Sequence, residues 1–145
     1  AYLKGPGGTL QPRRDALGTA LTVLTGVVDG EETGRALGDY PITDAGAPLF
    51  HPFFAEDTWY HNNSAWPFVD TFLIKALEKH DGHDRTALNA AILARTCVDD
   101  GTFHEVVDFR TKEVRGSGSQ LWSAAAFVDV CRRAGLIRFP KEADL

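Results

Sequence analysis

Leu17, Leu21, Leu24 and Val28 recur at helical spacing, so the hydrophobic pattern predicts a first helix from Pro12 to Val28, stopped by Gly30. A short second helix is expected from Glu31 to Leu37, closed by Gly38. The span Asp39 to Trp66 then loses all period and is rich in aromatic residues, Pro, Gly and Asp. Loops this long inside a compact domain are usually functional. Pro67 suits the first position of a third helix, where its fixed φ fits and its missing N–H costs nothing. That helix carries Phe68, Phe72, Leu73, Ala76 and Leu77 on one side and ends near His80-Asp81-Gly82. Asp84 is placed to cap a fourth helix from Arg85 to about Val98, with Leu88, Ala91, Ile92 and Cys97 inward. Gly101 to Gly118 forms a second long loop with a short hairpin around Val106 and Val114. Ser119 caps a fifth helix through Ala134, ended by Gly135.

The pattern predicts an all-α fold of antiparallel helical hairpins in a single domain over residues 1–145. Leu17, Leu21, Phe72, Leu77, Leu88, Ile92, Leu121 and Phe127 are its expected core. Long connections precede helices one, three and five. Their loops should therefore gather at the N-terminal ends of those helices, where the helix dipoles are positive.

Composition narrows the classes. Hydrophobic content of 43% with 24% charged residues is that of an ordinary globular domain, and 145 residues can bury a real core. No apolar run approaches the roughly 18 residues of a membrane span. Net charge is −5, and Arg13-Arg14 and Arg132-Arg133 are isolated pairs rather than a stripe, which argues against a nucleic-acid partner. Cys97 and Cys131 sit among apolar neighbours and read as buried thiols. His80-Asp81-Gly82-His83-Asp84 holds ligand types in a solvated turn, without convincing zinc spacing, so no metal site is expected. The chain lacks methionine and a signal-peptide pattern at its start, as expected of a processed product or a piece of something longer. Its compartment is not encoded.

Three polar and aromatic segments carry the candidate chemistry: Tyr60-His61-Asn62-Asn63-Ser64-Ala65-Trp66-Pro67, Gly101-Thr102-Phe103-His104-Glu105-Val106-Val107-Asp108, and Gly118-Ser119-Gln120-Leu121-Trp122-Ser123-Ala124-Ala125. Aromatic rings cover the apolar face of a sugar, and side-chain amides and imidazoles answer its hydroxyls. Trp66 and Trp122 are open to two roles, a sugar-facing wall or packing where loop meets helix. Gln120 either caps its helix or touches ligand. Arg14 is either a surface arginine or a residue of the same mouth.

In this order, the Tyr-His-Asn-Asn…Trp-Pro, Phe-His-Glu and Gln-Leu-Trp-Ser-Ala-Ala motifs resemble the C-terminal part of the six-hairpin (α/α)6-barrel glycoside hydrolases. That group includes family 63-like glucosidases and the glucosidase domain of debranching enzymes. The match runs from about Pro12 to Leu136. The resemblance implies part of an (α/α)6 toroid and inverting hydrolysis of an α-linked glycoside, with Glu105 as general base. Tyr60, His61, Asn62 and Trp66 would line the sugar subsite, joined by Gln120 and Trp122. The residues after Glu105 are Val106-Val107-Asp108-Phe109 instead of the commoner Tyr/Phe-Tyr-Asp-Pro pattern, which makes Asp108 the alternative carboxylate. Glycoside hydrolysis needs a second carboxyl group. Asp70, Asp57 and Asp44 are the available candidates, and none matches an acid motif. Five helices supply less than a barrel, so the remainder of a barrel or another copy of the chain is the expected partner. No cofactor is expected, because the reaction needs only carboxyls and water. The alternative is a non-catalytic helical carbohydrate-binding or barrel-completing subunit.

Overall fold

The computed structural model describes residues 2–4, 6–43, 45–55, 60–81, 85 and 101–139. Among them run β1 (Tyr2–Lys4), β2 (Leu10–Asp15), α1 (Ala16–Leu24), α2 (Gly30–Leu37), β3 (Phe50–His51), β4 (Ser64–Ala65), α3 (Pro67–Asp81), β5 (Val106–Asp108), β6 (Val114–Arg115) and α4 (Leu121–Arg133). The strands form two three-stranded antiparallel sheets, ordered β1-β2-β3 and β4-β5-β6.

This overturns the all-α expectation: the chain is mixed α and β. The first predicted helix is split, its first four residues, 12–15, being the last four of β2, and the aperiodic loops supply β3, β4 and the β5–β6 hairpin. Helical spacing misses these strands because each is two to six residues long. Two or three residues are too few to show an alternation. The expected fourth helix, with Asp84, Leu88, Ala91, Ile92 and Cys97, lies outside the described residues, as do Asp44, Asp57 and His83.

Three helices share one direction. Asp15 caps α1 by accepting a hydrogen bond from the Leu17 amide at 3.0 Å. At the other end, the Lys79 ammonium of α3 donates to the Val23 and Leu24 carbonyls at 3.0 and 3.1 Å. A cation on the carbonyls of a helix's last turn is favourable, and it sets the C-termini of α1 and α3 side by side. The Phe68 and Trp122 rings meet at 5.4 Å near the starts of α3 and α4, while Lys75 pairs with Asp129 at 2.7 Å two turns on. So α4 runs parallel to α3. Helix α2 returns against them, its last turn held by Arg14, which donates to Asp39 at 2.7 Å and to the Ala36 carbonyl at 3.5 Å. Arg14 is thus a staple of the α2 end.

The core departs from the expected list in a consistent way. Helix α1 buries Ala16, Thr19, Ala20 and Val23, a face of small residues that lets it lie close to Leu73, Ala76 and Leu77 of α3. Leu21 is exposed as a result, and Leu17 and Leu24 are only partly buried. Phe72 and Leu121 are exposed too, whereas Leu77 is buried and Phe127 packs beside Ala126 and Val130. Cys131 is a buried free thiol.

One buried polar group ties the long loop to α3. Asp70 accepts a hydrogen bond from the Ala47 amide at 2.8 Å, and a Cβ at Gly46 would stand 2.2 Å from its other oxygen. Gly46 therefore has no room for a side chain, and its φ of +103° suits only glycine. Burial pushes the Asp70 carboxyl well above its usual range, the Ala47 hydrogen bond opposing it.

The raised Asp70 value makes stability fall as pH rises. Below the unfolded value near 3.9 both states are protonated; above it the unfolded chain ionises first. The loss continues until pH passes the folded-state value. Asp70→Asn keeps the acceptor for Ala47 and cannot ionise. Its stability relative to wild type, from urea midpoints, should therefore climb with pH above about 4. Parallel curves for the two proteins would refute neutral burial.

Candidate functional site

The short sheet β4-β5-β6 assembles the three motif segments. Ser64 and Ala65 pair with Asp108 and Val107, while Val106 and Val107 pair with Arg115 and Val114. Beyond the strands, the Phe109 amide donates to the Asn63 carbonyl at 2.6 Å. The Glu105 amide donates to the Ser117 carbonyl at 3.1 Å, and the Gln120 amide to the Phe103 carbonyl at 2.8 Å. The Tyr60, Glu105 and Gln120 segments therefore meet at the N-terminal ends of α3 and α4.

Glu105 lies at the centre of this meeting and is 7% exposed. Its Oε1 accepts from the Tyr60 hydroxyl at 2.7 Å. Its Oε2 accepts from the Ser117 amide at 3.2 Å and the Ser117 hydroxyl at 3.5 Å. Among the described residues no cationic side chain pairs with it; nearby Arg115 goes to Asp108 at 3.2 Å and Glu113 at 3.4 Å. Hydrogen bonding to Glu105, with burial and the carboxylate charge adding, pushes the Tyr60 phenol up, so the phenol stays the donor.

Left-handed residues occur in two of the motif segments and, at Lys112 (φ 67°), in the β5–β6 turn. Asn63 and Ser119 sit in the left-handed region at φ 57° and 56°. Such conformations cost about 1–3 kcal/mol for residues with a side chain and persist where surrounding contacts enforce them. Gly116, at φ +79°, passes so close that a Cβ there would lie 2.6 Å from Glu105 Oε2 and 2.7 Å from Glu105 Cβ.

The aromatic residues divide by exposure. Trp66 is 5% exposed: His61 stacks on it with centroids at 5.4 Å and planes 10° apart, and Tyr60 meets it edge-on at 5.2 Å. Its indole N–H has no hydrogen-bond partner among the described residues. Trp66 is thus packing, the second of the two roles open to it. Trp122, 45% exposed, walls one end of a groove of about 250 Å³ between α3 and α4, whose far end is the Lys75–Asp129 pair. Tyr60 and His61 are also exposed.

The polar candidates find hydrogen-bond partners within the protein. Asn62 is buried, and its amide donates to the Phe54 carbonyl at 2.9 Å and accepts from the Phe54 amide at 3.0 Å. That paired bond closes the loop between Phe54 and Asn62. Gln120 donates its side-chain N–H to the Ser117 hydroxyl and makes no side-chain cap bond to its own helix. Asp108 shapes the β5–β6 turn, accepting from the Arg110 and Thr111 amides at 2.9 and 2.8 Å. Burial pushes its carboxyl up, but those amides and Arg115 outweigh it and hold it below the usual range.

Ser117 and Gly116 were not singled out by the sequence. Their only signal is Gly116-Ser117-Gly118-Ser119, a run of small residues just before a helix. Among the described residues no group of three or more His, Cys, Asp or Glu side chains is arranged to hold a metal ion. Nor is any described helix long and apolar enough to cross a membrane. No protein-family model matches the chain, and no curated protein matches it.

Gly116→Ala adds both a left-handed strain and a clash with Glu105. Gly26→Ala has similar strain at φ +75° with open space around it. Thermal denaturation should show the first substitution costing about 1–3 kcal/mol more than the second. Equal melting temperatures would mean the Gly116–Glu105 approach is not a constraint.

Proposed function

We propose that Glu105 is the general base of an inverting glycoside hydrolase acting on an α-linked glycoside. The observation that carries this reading is a buried carboxylate held on both oxygens by neutral donors, with no cationic partner among the described residues. Taking a carboxylate out of water is expensive without a partner charge. A carboxylate so held, where polar and aromatic segments converge, is a candidate functional group. Neutral donors also suit a base, since they hold the carboxylate in place without neutralising it.

In this mechanism Glu105 takes a proton from a water as the water's oxygen attacks the anomeric carbon. The bond from that carbon to the leaving oxygen breaks, and a second carboxyl group protonates the leaving oxygen. In inverting enzymes the two carboxyls stand about 6.5–9.5 Å apart. Asp70 and Asp108 do not fill the acid role, being taken up by Ala47 and by the β-turn amides. Trp122 offers the exposed ring for a sugar face, and His61 an exposed imidazole for a hydroxyl. Asn62 holds the loop that carries Tyr60 and His61.

The occupied Asp70 and Asp108 carboxylates favour one second reading, a carbohydrate-binding protein that does not hydrolyse. A panel of α-linked disaccharides separates the two by sugar release and by calorimetric binding. For the hydrolase, Glu105→Gln should lower kcat about 10²–10⁴-fold with binding nearly unchanged. NMR of fresh product should show the inverted anomer. Trp122→Ala should weaken binding instead, by about 0.5–1.5 kcal/mol from the loss of ring stacking. Binding without turnover in wild type supports the second reading, and full turnover by Glu105→Gln removes this residue from the chemistry.

A further inference from the structure

Ser117 and Gln120 form a chain that ends on the carboxylate. The Gln120 side-chain N–H donates to the Ser117 hydroxyl oxygen, and that hydroxyl lies 3.5 Å from Glu105 Oε2. An amide N–H is only a donor, so Gln120 occupies the acceptor side of the Ser117 oxygen. The hydroxyl proton is then left to point at Glu105. Without Gln120 the hydroxyl can rotate and offer a lone pair to other donors.

The backbone locks this geometry from both sides. Phe103 and Glu105 are bonded to Gln120 and Ser117 through main-chain groups, so the two segments cannot slide past each other. Ser119 in the left-handed region reverses the chain between Ser117 and Gln120, bringing a side chain three residues on back to the serine. A residue used only to start α4 would not need this: Gln120 makes no cap bond, although it occupies the N-cap position.

We propose that Gln120 is a positioning residue for Glu105, acting through the Ser117 hydroxyl and not through contact with a sugar. The relay fixes Ser117 as a donor and holds Oε2 still. This rests on the assignment of Glu105 as the base for its catalytic meaning, but the relay itself is a property of the free protein. Of the charged side chains near Glu105, Arg115 is paired with Asp108 and Glu113. Tyr60 donates from the opposite side, His104 is its chain neighbour with its ring 3.5 Å from Thr102, and residues 116–120 carry no charge.

The test is the ¹³C NMR resonance of the Glu105 carboxyl in the whole chain at neutral pH, assigned by its absence in Glu105→Gln. Ser117→Ala and Gln120→Met should both move that resonance, and Ser117→Thr should restore it. The double variant should match Ser117→Ala alone, because Gln120 acts only through that hydroxyl. In hydrolysis of the best α-linked disaccharide, kcat should fall about tenfold in Ser117→Ala, the usual scale of a hydrogen bond to a charged group, with KM unchanged. An unmoved resonance in both single variants overturns the relay even if the protein is an active hydrolase. A further shift on adding Gln120→Met to Ser117→Ala also overturns it, as does a rise in KM with the resonance unmoved, which would make Gln120 a sugar contact. A moved resonance in a protein whose turnover survives Glu105→Gln would keep the relay and discard the hydrolase.

Discussion

Backbone pairing around β4 and β5 is the constraint on which the rest of the structure depends. Ser64 is bonded through its carbonyl to the Leu49 amide at 3.0 Å, and the Leu49 carbonyl accepts from Ala16 at the start of α1 at 2.9 Å. On its other side Ser64 pairs with Asp108, and β5 pairs with β6. One continuous run of main-chain hydrogen bonds thus joins the N-terminus of α1 to the hairpin that precedes α4. Buried amides and carbonyls must find partners. Here, meeting that demand also sets three parallel helices with their N-termini at the same end as the candidate site.

Glu105 inherits its rigidity from this arrangement. It stands one residue before β5, and its own amide extends the pairing to Ser117. Gly116 allows the facing segment to pass at contact distance, so Ser117 presents both an amide and a hydroxyl to one carboxylate oxygen. Tyr60 reaches the other oxygen from the segment leading into β4. A small sheet, not a helix bundle, brings donors 12 and 45 residues away in sequence onto one carboxylate.

The aromatic residues show how packing and function divide the same side-chain type. Trp66 stands immediately before α3 and is enclosed by His61, Tyr60, Phe68 and Trp122. Enclosure gives it the job of holding the ends of α3 and α4 together, where ring contacts add to area burial. Trp122, one residue into α4, keeps nearly half its surface in solvent because its helix turns that side outward along the groove.

Sequence by itself determined the helices with enough turns to display a period: α2 and α3 begin within a residue of their expected starts, and Gly135 follows the end of α4. It also showed the hairpin at Val106 and Val114. The two sheets, the small-residue face of α1 and the burial of Trp66 were decided by tertiary structure. Two-residue strands carry no period, and a helix faces whichever side its neighbour can approach most closely. The same holds for the polar residues. A sequence shows that Asn62, Gln120 and Asp108 can hydrogen-bond, but their partners are Phe54, Ser117 and the turn amides only because the folded chain brings those groups within reach.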